Sequence, residues 1–149
     1  MSIELRPGTA SDTEKAAEIL HQFHASTGWI TQYDDLSETL KFSAIMIARG
    51  WVTVASVNGK VAGFLAKENN YVHALYVGAG SRGQGIGHRL LRHAQMQEFS
   101  LDLWTFQHNK PAHSFYKREG FQITERSDGM HNEAGLPDVR FQWARGTSL

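Results

Sequence analysis

The sequence predicts a single mixed α/β (α+β) domain, and three observations predict it. A glycine-dense turn at 78–87 separates an apolar, β-branched run at 71–77 from a helix-period pattern in Ile86, Leu90, Leu91 and Ala94. Two strand-like runs, 51–57 and 61–67, are joined by Asn58-Gly59, a strong hairpin signal because both central residues take positive φ. Apolar periods of two and of 3.6 follow one another in the order β-α-α-β-β-β-α-β-α-β-β. At 149 residues the chain suits one domain, 1–149, with a substantial core.

Taken in order, residues 2–6 alternate polar and apolar as a short strand, which Pro7-Gly8 ends. Ser11-Asp12-Thr13-Glu14 reads as a capping box. The helix it opens carries Ala16, Ile19, Leu20 and Phe23 on one face and runs to about His24 or Ala25. The 28–33 loop exposes Trp29, Ile30 and Tyr33. Asp35-Leu36-Ser37-Glu38 is a second capping box, followed by Leu36, Leu40, Ala44 and Ile47 at helical spacing, with Gly50 as the stop. Asn69-Asn70 turns the chain into the 71–77 strand, the third of three antiparallel strands. Residues 100–106 form the next strand, with Leu101, Leu103 and Thr105 on one face. Asn109 caps a helix over 110–119, where Pro111 is tolerated in the first turn and Ala112, Phe115 and Tyr116 form the apolar side. Gly120 ends it. A strand at 121–125, a polar loop at 126–137 and a strand carrying Val139, Phe141 and Trp143 complete the chain.

Composition excludes several classes. Basic and acidic residues balance at 15 each, so no global field favours nucleic acid or a membrane surface. No apolar run is long enough to span a bilayer, and the start of the chain lacks a basic region followed by an apolar core. A cytoplasmic protein is the expectation. Without cysteine there is no disulfide and no thiol nucleophile. His21 and His24 stand three apart on a helix, but no acidic or cysteine ligand pattern accompanies them, so no metal is expected.

A glycine-rich turn between strand and helix is a phosphate-binding device: glycine lets the backbone approach an anion, and the helix start aims unpaired N–H groups at it. The P-loop pattern fails, since Gly87 is followed by His88. The dinucleotide pattern G-x-G-x-x-G is present as Gly78, Gly80 and Gly83, with Asp102 about twenty residues on. Asp102 falls inside the next apolar run, however, and Gly85 and Gly87 are left unexplained. Arg82-Gly83-Gln84-Gly85-Ile86-Gly87 matches R/Q-x-x-G-x-G/A, and the run from Asn109 through Ala112 and Tyr116 to Gly120-Phe121 matches N-x-x-A-x-x-x-Y-x-x-x-G-F. Both segments, in this order of elements, resemble the GCN5-related N-acetyltransferase (GNAT) family. The likeness is coarse over the whole chain and close over 71–121.

That resemblance implies a mixed, mostly antiparallel sheet flanked by about four helices. It implies transfer of an acetyl group from acetyl-CoA to a small-molecule or peptide amine, with no metal, by direct attack in a ternary complex. Arg82, Gly83, Gln84, Gly85, Ile86, Gly87 and His88 are then the pyrophosphate site, and Leu75, Tyr76 and Val77 the strand end that meets the thioester and pantetheine arm. That strand would splay from the 100–106 strand to make a slot. Asn109 would hold the CoA arm. Tyr116 would protonate the departing thiolate. For the base that frees the amine, His73 is the first candidate, two residues before Leu75 and assigned to the same face; His131 and Glu133 are others. Trp29, Tyr33, Trp104 and Glu133 are candidates for the acceptor wall, with Asp34, Asp35 and Asp138 as further partners for an amine. A homodimer is compatible with all of this. Two other readings stay open: a non-catalytic acyl-CoA-binding or sensor module, and an NAD-binding domain.

Overall fold

The computed structural model describes residues 2–31 and 33–146. Its elements are β1 (Ile3–Pro7), a 3-10 turn (Ala10–Asp12), α1 (Thr13–Ser26), α2 (Leu36–Ala48), β2 (Val52–Val57), β3 (Lys60–Glu68), β4 (Tyr71–Val77), a second 3-10 turn (Ala79–Ser81), α3 (Ile86–Gln97), β5 (Ser100–Phe106), α4 (Lys110–Arg118), β6 (Gln122–Ser127) and β7 (Asp138–Ala144). The predicted order holds throughout. The strands form one sheet in the order β1-β2-β3-β4-β5-β7-β6, antiparallel at every step except β4 to β5. No helix of the described residues is long and apolar enough to cross a membrane.

Each face of the sheet buries its own apolar layer. On one, Leu65, Val72, Leu101, Leu103 and Phe141 pack with Ile86, Leu90 and Leu91 of α3 and with Tyr116 of α4. On the other, Val54, Phe64, Ala66 and Ala74 pack with Ala16, Ile19 and Leu20 of α1 and Met46 of α2. The turns behave as their residues dictate: Asn58 and Gly59 both take positive φ, and so does Asn69. Gly63 on β3 is a close approach rather than a turn. A Cβ there would lie 2.9 Å from the Tyr76 carbonyl oxygen and 3.2 Å from the Ile86 side chain.

The parallel step is incomplete. β4 and β5 are in register only at Tyr71 and Asp102, where the Asp102 amide also donates to the Asn70 carbonyl at 2.9 Å. Beyond that bridge the strands part. β4 also carries a bulge: Ala66 faces Ala74 and Lys67 faces Val72, leaving His73 without a partner on β3.

Four local expectations are corrected. The cap before α1 is not Ser11 with Glu14. The Asp12 carboxylate accepts from the Thr9 amide at 2.8 Å and from the Arg6 guanidinium at 2.8 and 2.9 Å, so a 3-10 turn precedes the helix. Ile30 is buried rather than exposed. On α2 the buried stripe is Thr39, Ser43 and Met46, while Leu36 and Ala44 face outward. The small side chains let α1 and α2 pack closely, and Thr39 Oγ1 donates to the Asp35 carbonyl instead of facing the core unpaired. The sixth strand starts at Gln122 and runs on to Ser127, so the polar loop begins at 128. Asn109 caps α4 as expected, accepting from the Ala112 amide at 3.3 Å, and at α2 the Asp35 half of the expected capping box is present, accepting from the Glu38 amide at 2.8 Å.

The Arg6 pair holds the Asp12 carboxyl down at about 2, helped by the Thr9 amide against the cost of burial. A depressed carboxyl contributes stability that is complete above its unfolded value of 3.8 and is lost as pH falls through about 2. Asp12→Asn should therefore destabilise the protein at pH 7 by about 1–3 kcal/mol. The gap from wild type should close on acidification toward pH 2; thermal midpoints measured across that range check it.

Candidate active site

The opening between the parted strands is a cleft of about 360 Å³. Ala74, Leu75, Tyr76 and Val77 form one wall and Leu103, Trp104 and Thr105 the other. Arg82 and Gly87 stand at one end, and Asn109, Ala112, Phe115 and Tyr116 close it from α4. Residues far apart in sequence thus meet because the two strands diverge and because α3 and α4 each start beside the gap.

The end at α3 is shaped for an anion. Gly85, the residue before the helix, has φ +81°, and open space lies where a Cβ would sit. Gly83 is alike, with φ +76°. The first amides of α3 have no carbonyl behind them in the helix. Ile86 is buried beneath and anchors this turn to the sheet. Arg82 is exposed and forms no ion pair with a described residue. Gln84 lies to the side, in a groove with Ser81 and Asn58. His88 turns away from the cleft: its Nδ1 lies 2.8 Å from Glu119, the residue that follows α4.

At the other end, the Tyr116 ring packs among Phe115, Phe121 and Phe141. Its hydroxyl forms no hydrogen bond with a described residue. Burial, and then the nearby Tyr76 phenol, push the Tyr116 phenol well above its ordinary value. Burial pushes Tyr76 up to about 12. Both phenols therefore keep their protons at neutral pH.

His73 is not where sequence alternation put it. The bulge rotates it to the α1–α2 side, while Leu75 belongs to the α3 layer. Its imidazole stacks on Trp51 at 4.8 Å, meets the Tyr71 ring edge-on and holds Glu68 at 2.9 Å. Those partners occupy the ring, and His73 still lines the first cleft beside Val72 and Ala74.

A second cleft, of about 490 Å³, opens between the α1–α2 loop and the 128–137 loop. Tyr33 and Glu133 line it, as do His24, Asp34 and Phe106. Trp104 belongs to the first cleft and touches His131 edge-on. Trp29 lines neither; it stacks on His108 and packs against Phe106. Asp138 is buried, bonded by Ser127 and Asn132, and so serves the loop rather than an amine.

One histidine of the clefts, His24, escaped the sequence reading of this site, and His113 stands behind them in the core. His113, on the inner side of α4, donates from Nε2 to the Phe106 carbonyl at 3.0 Å, and burial lowers its pKa. His24 is half-buried in the second cleft; burial lowers its pKa as well. The signal for His24 was its place directly after Phe23, the last residue of the apolar face of α1.

Among the described residues no group of three or more acidic or histidine side chains could hold a metal. Asp102, the acid of the dinucleotide pattern, is engaged by Arg140 at 2.9 and 2.5 Å and lies inside the sheet.

The chain is 31% identical over 97 residues to the peptidyl-lysine N-acetyltransferase YiaC of Escherichia coli, and spans 64% of that relative's length with 64% of its own. Among solved structures, apo YjaB from Escherichia coli superposes with a TM-score of 0.80 at 22% identity, covering 96% of this chain and 98% of that one. YncA from Salmonella typhimurium with its cofactor acetyl-CoA superposes with a TM-score of 0.75 at 20% identity, covering 97% and 94%. The family model for the acetyltransferase (GNAT) domain matches residues 48–123, from the end of α2 through the parted strands, the glycine turn and α4 into β6. The chain belongs to the GNAT family of acetyltransferases.

Proposed function

We propose that this protein transfers the acetyl group of acetyl-CoA to a primary amine by direct attack in a ternary complex. The observation that carries this reading is the cleft itself, with an anion-ready glycine turn at one end and a buried, protonated phenol at the other. The residues suit the donor. The open Gly83 and Gly85 backbone, the first amides of α3 and the unpaired Arg82 would receive the pyrophosphate. The free edges of β4 and β5 offer backbone partners to the pantetheine arm, as strands do for any extended chain. A backbone amide of Leu75, Tyr76 or Val77 would face the thioester carbonyl as charge develops on its oxygen. Tyr116 would give its proton to the departing thiolate, and Asn109 caps the helix that places it. The name of YiaC supports an amine on a lysine side chain as the acceptor class. Since acetyl-CoA is consumed, the cytoplasm is the proposed location.

The test is acetyl-CoA turnover over a panel of amines and lysine peptides, reading free CoA, beside calorimetric titration with acetyl-CoA and NAD. Binding of acetyl-CoA without turnover on any amine would favour the sensor reading, and binding of NAD alone would reverse the assignment.

Gly85→Val should weaken acetyl-CoA binding by at least about 10-fold, since a branched residue at φ +81° reshapes the turn and fills the open space. A folded Gly85→Val protein that binds at full strength would move the pyrophosphate elsewhere. Tyr116→Phe keeps the ring packing and removes a hydroxyl that bonds no described residue, so stability should hold while turnover falls about 10²–10⁴-fold. An unchanged rate, with chemistry limiting, would return Tyr116 to the core alone.

A further inference from the structure

Transfer leaves one requirement unassigned: the amine arrives protonated and must lose a proton before it can attack. Among the described histidines, four near the two clefts are already committed. His73 is held by Glu68 and Trp51, His88 by Glu119 and His113 by the Phe106 carbonyl, while His131 stands 3.7 Å from Asp138. His24 is not.

We propose that His24, which lines the second cleft, is the residue that takes the proton of an amine entering through it. This rests on the transferase reading. The two clefts are lined by neighbouring residues of the same elements. Phe23 lines the first and its neighbour His24 the second, while Thr105 lines the first and its neighbour Phe106 the second. Tyr76, which lines the first cleft, has its ring 5.2 Å from Phe23 and 6.3 Å from His24. A chain threaded past Tyr33 and Phe106 therefore ends beside Tyr76, against the strand segment assigned to the thioester.

The lining suits a cationic amine on an apolar stem. Tyr33, Ile30 and Phe106 offer apolar and aromatic surface, and the carboxylates of Asp34 and Glu133 offer attraction at the mouth. The His24 ring sits between Tyr33, at 6.2 Å, and Tyr76. Its Nδ1 is sealed without a hydrogen-bond partner, so exchange with the cleft runs through Nε2. In the proposed state Nδ1 carries the hydrogen of the neutral ring and Nε2 presents its lone pair. Around it stand Asp34, which favours the charged ring, His21, which opposes it, and Tyr33, Tyr76 and Glu133. Desolvation is the largest influence and leaves the ring neutral at neutral pH, ready to accept.

The protons balance. Of the three on the ammonium group, one passes to His24 and thence to solvent. The neutral nitrogen forms the C–N bond at the thioester carbon and the C–S bond breaks. A second proton leaves nitrogen as Tyr116 protonates the thiolate, restoring the phenol, and the third stays on the amide.

The test compares wild type with His24→Gln, and with His24→Asn as a second variant, on the best lysine peptide of the panel. Acetyl-CoA affinity by titration should be unchanged in both, which also reports folding. kcat/KM should fall about 10²-fold near neutral pH. In wild type it should fall as pH drops through an ionisation below 6.5, as the base becomes protonated, and that limb should vanish in the variants. The amine's own ionisation contributes equally to all three proteins. Asp34→Asn with Glu133→Gln should raise KM for the peptide several-fold and leave KM for acetyl-CoA alone. Variants that keep the wild-type rate and acidic limb overturn the His24 assignment while the transferase reading stands. Absence of wild-type turnover on every amine overturns the transferase reading and this inference with it.

Discussion

The interaction on which the structure depends is one that stops. β4 and β5 are paired at Tyr71 and Asp102 and nowhere further along their length. Up to that bridge the seven strands make a continuous sheet; past it, two strand edges face each other with backbone groups that neither can satisfy for the other. Buried amides and carbonyls without partners are costly, so such a gap persists only where water or a ligand completes it. α3 crosses between the parting strands and so must start at the mouth of the gap, which brings the glycine turn there. α4 follows β5 and covers the other end. The cleft is a consequence of topology before any side chain is considered.

The groups around the gap are shifted in a consistent sense. Tyr76 and Tyr116 are pushed up and His24 is pushed down, and in each case burial is the largest cause. Every one of these shifts favours the uncharged form. A site that disfavours ions suits a reaction whose nucleophile must be a neutral amine, and it strengthens any dipole aimed at developing charge. Charges that remain, Asp34, Glu133 and Arg82, are exposed.

How much of this was legible follows from what local sequence encodes. Asn58-Gly59, Gly50 and Gly120 constrain the backbone through φ alone, so the hairpin and two helix ends could be read directly. The motif residues from Arg82 to Tyr116 were equally plain, because a glycine turn and an Asn cap are local devices. α2 misled because periodicity weighs Leu36 above Ser43, whereas close helix packing selects small side chains. His73 misled because alternation assumes an unbroken ladder; one extra residue in β4 turns the ring to the other face, and nothing between Tyr71 and Val77 signals it. The second cleft was the least legible, since His24, Tyr33, Phe106 and Glu133 come from four separate segments that only the finished fold assembles.

Gly63 gives the sheet interior a hold on the mouth of the cleft. It is buried in β3, remote in sequence from either motif, yet a methyl group there would press on the Tyr76 carbonyl on one side and on Ile86, the first residue of α3, on the other. Those are the two edges between which a donor would be gripped, and both would have to shift by a few tenths of an ångström to admit it. Close-packed interiors pass such displacements on instead of absorbing them. A replacement at Gly63 would thus present as a weakened grip at the glycine turn, in a position that contacts no reactant. For a genetic screen, a lesion that looks like a lost ligand contact can arise one strand away, from the arrival of a side chain rather than the loss of one.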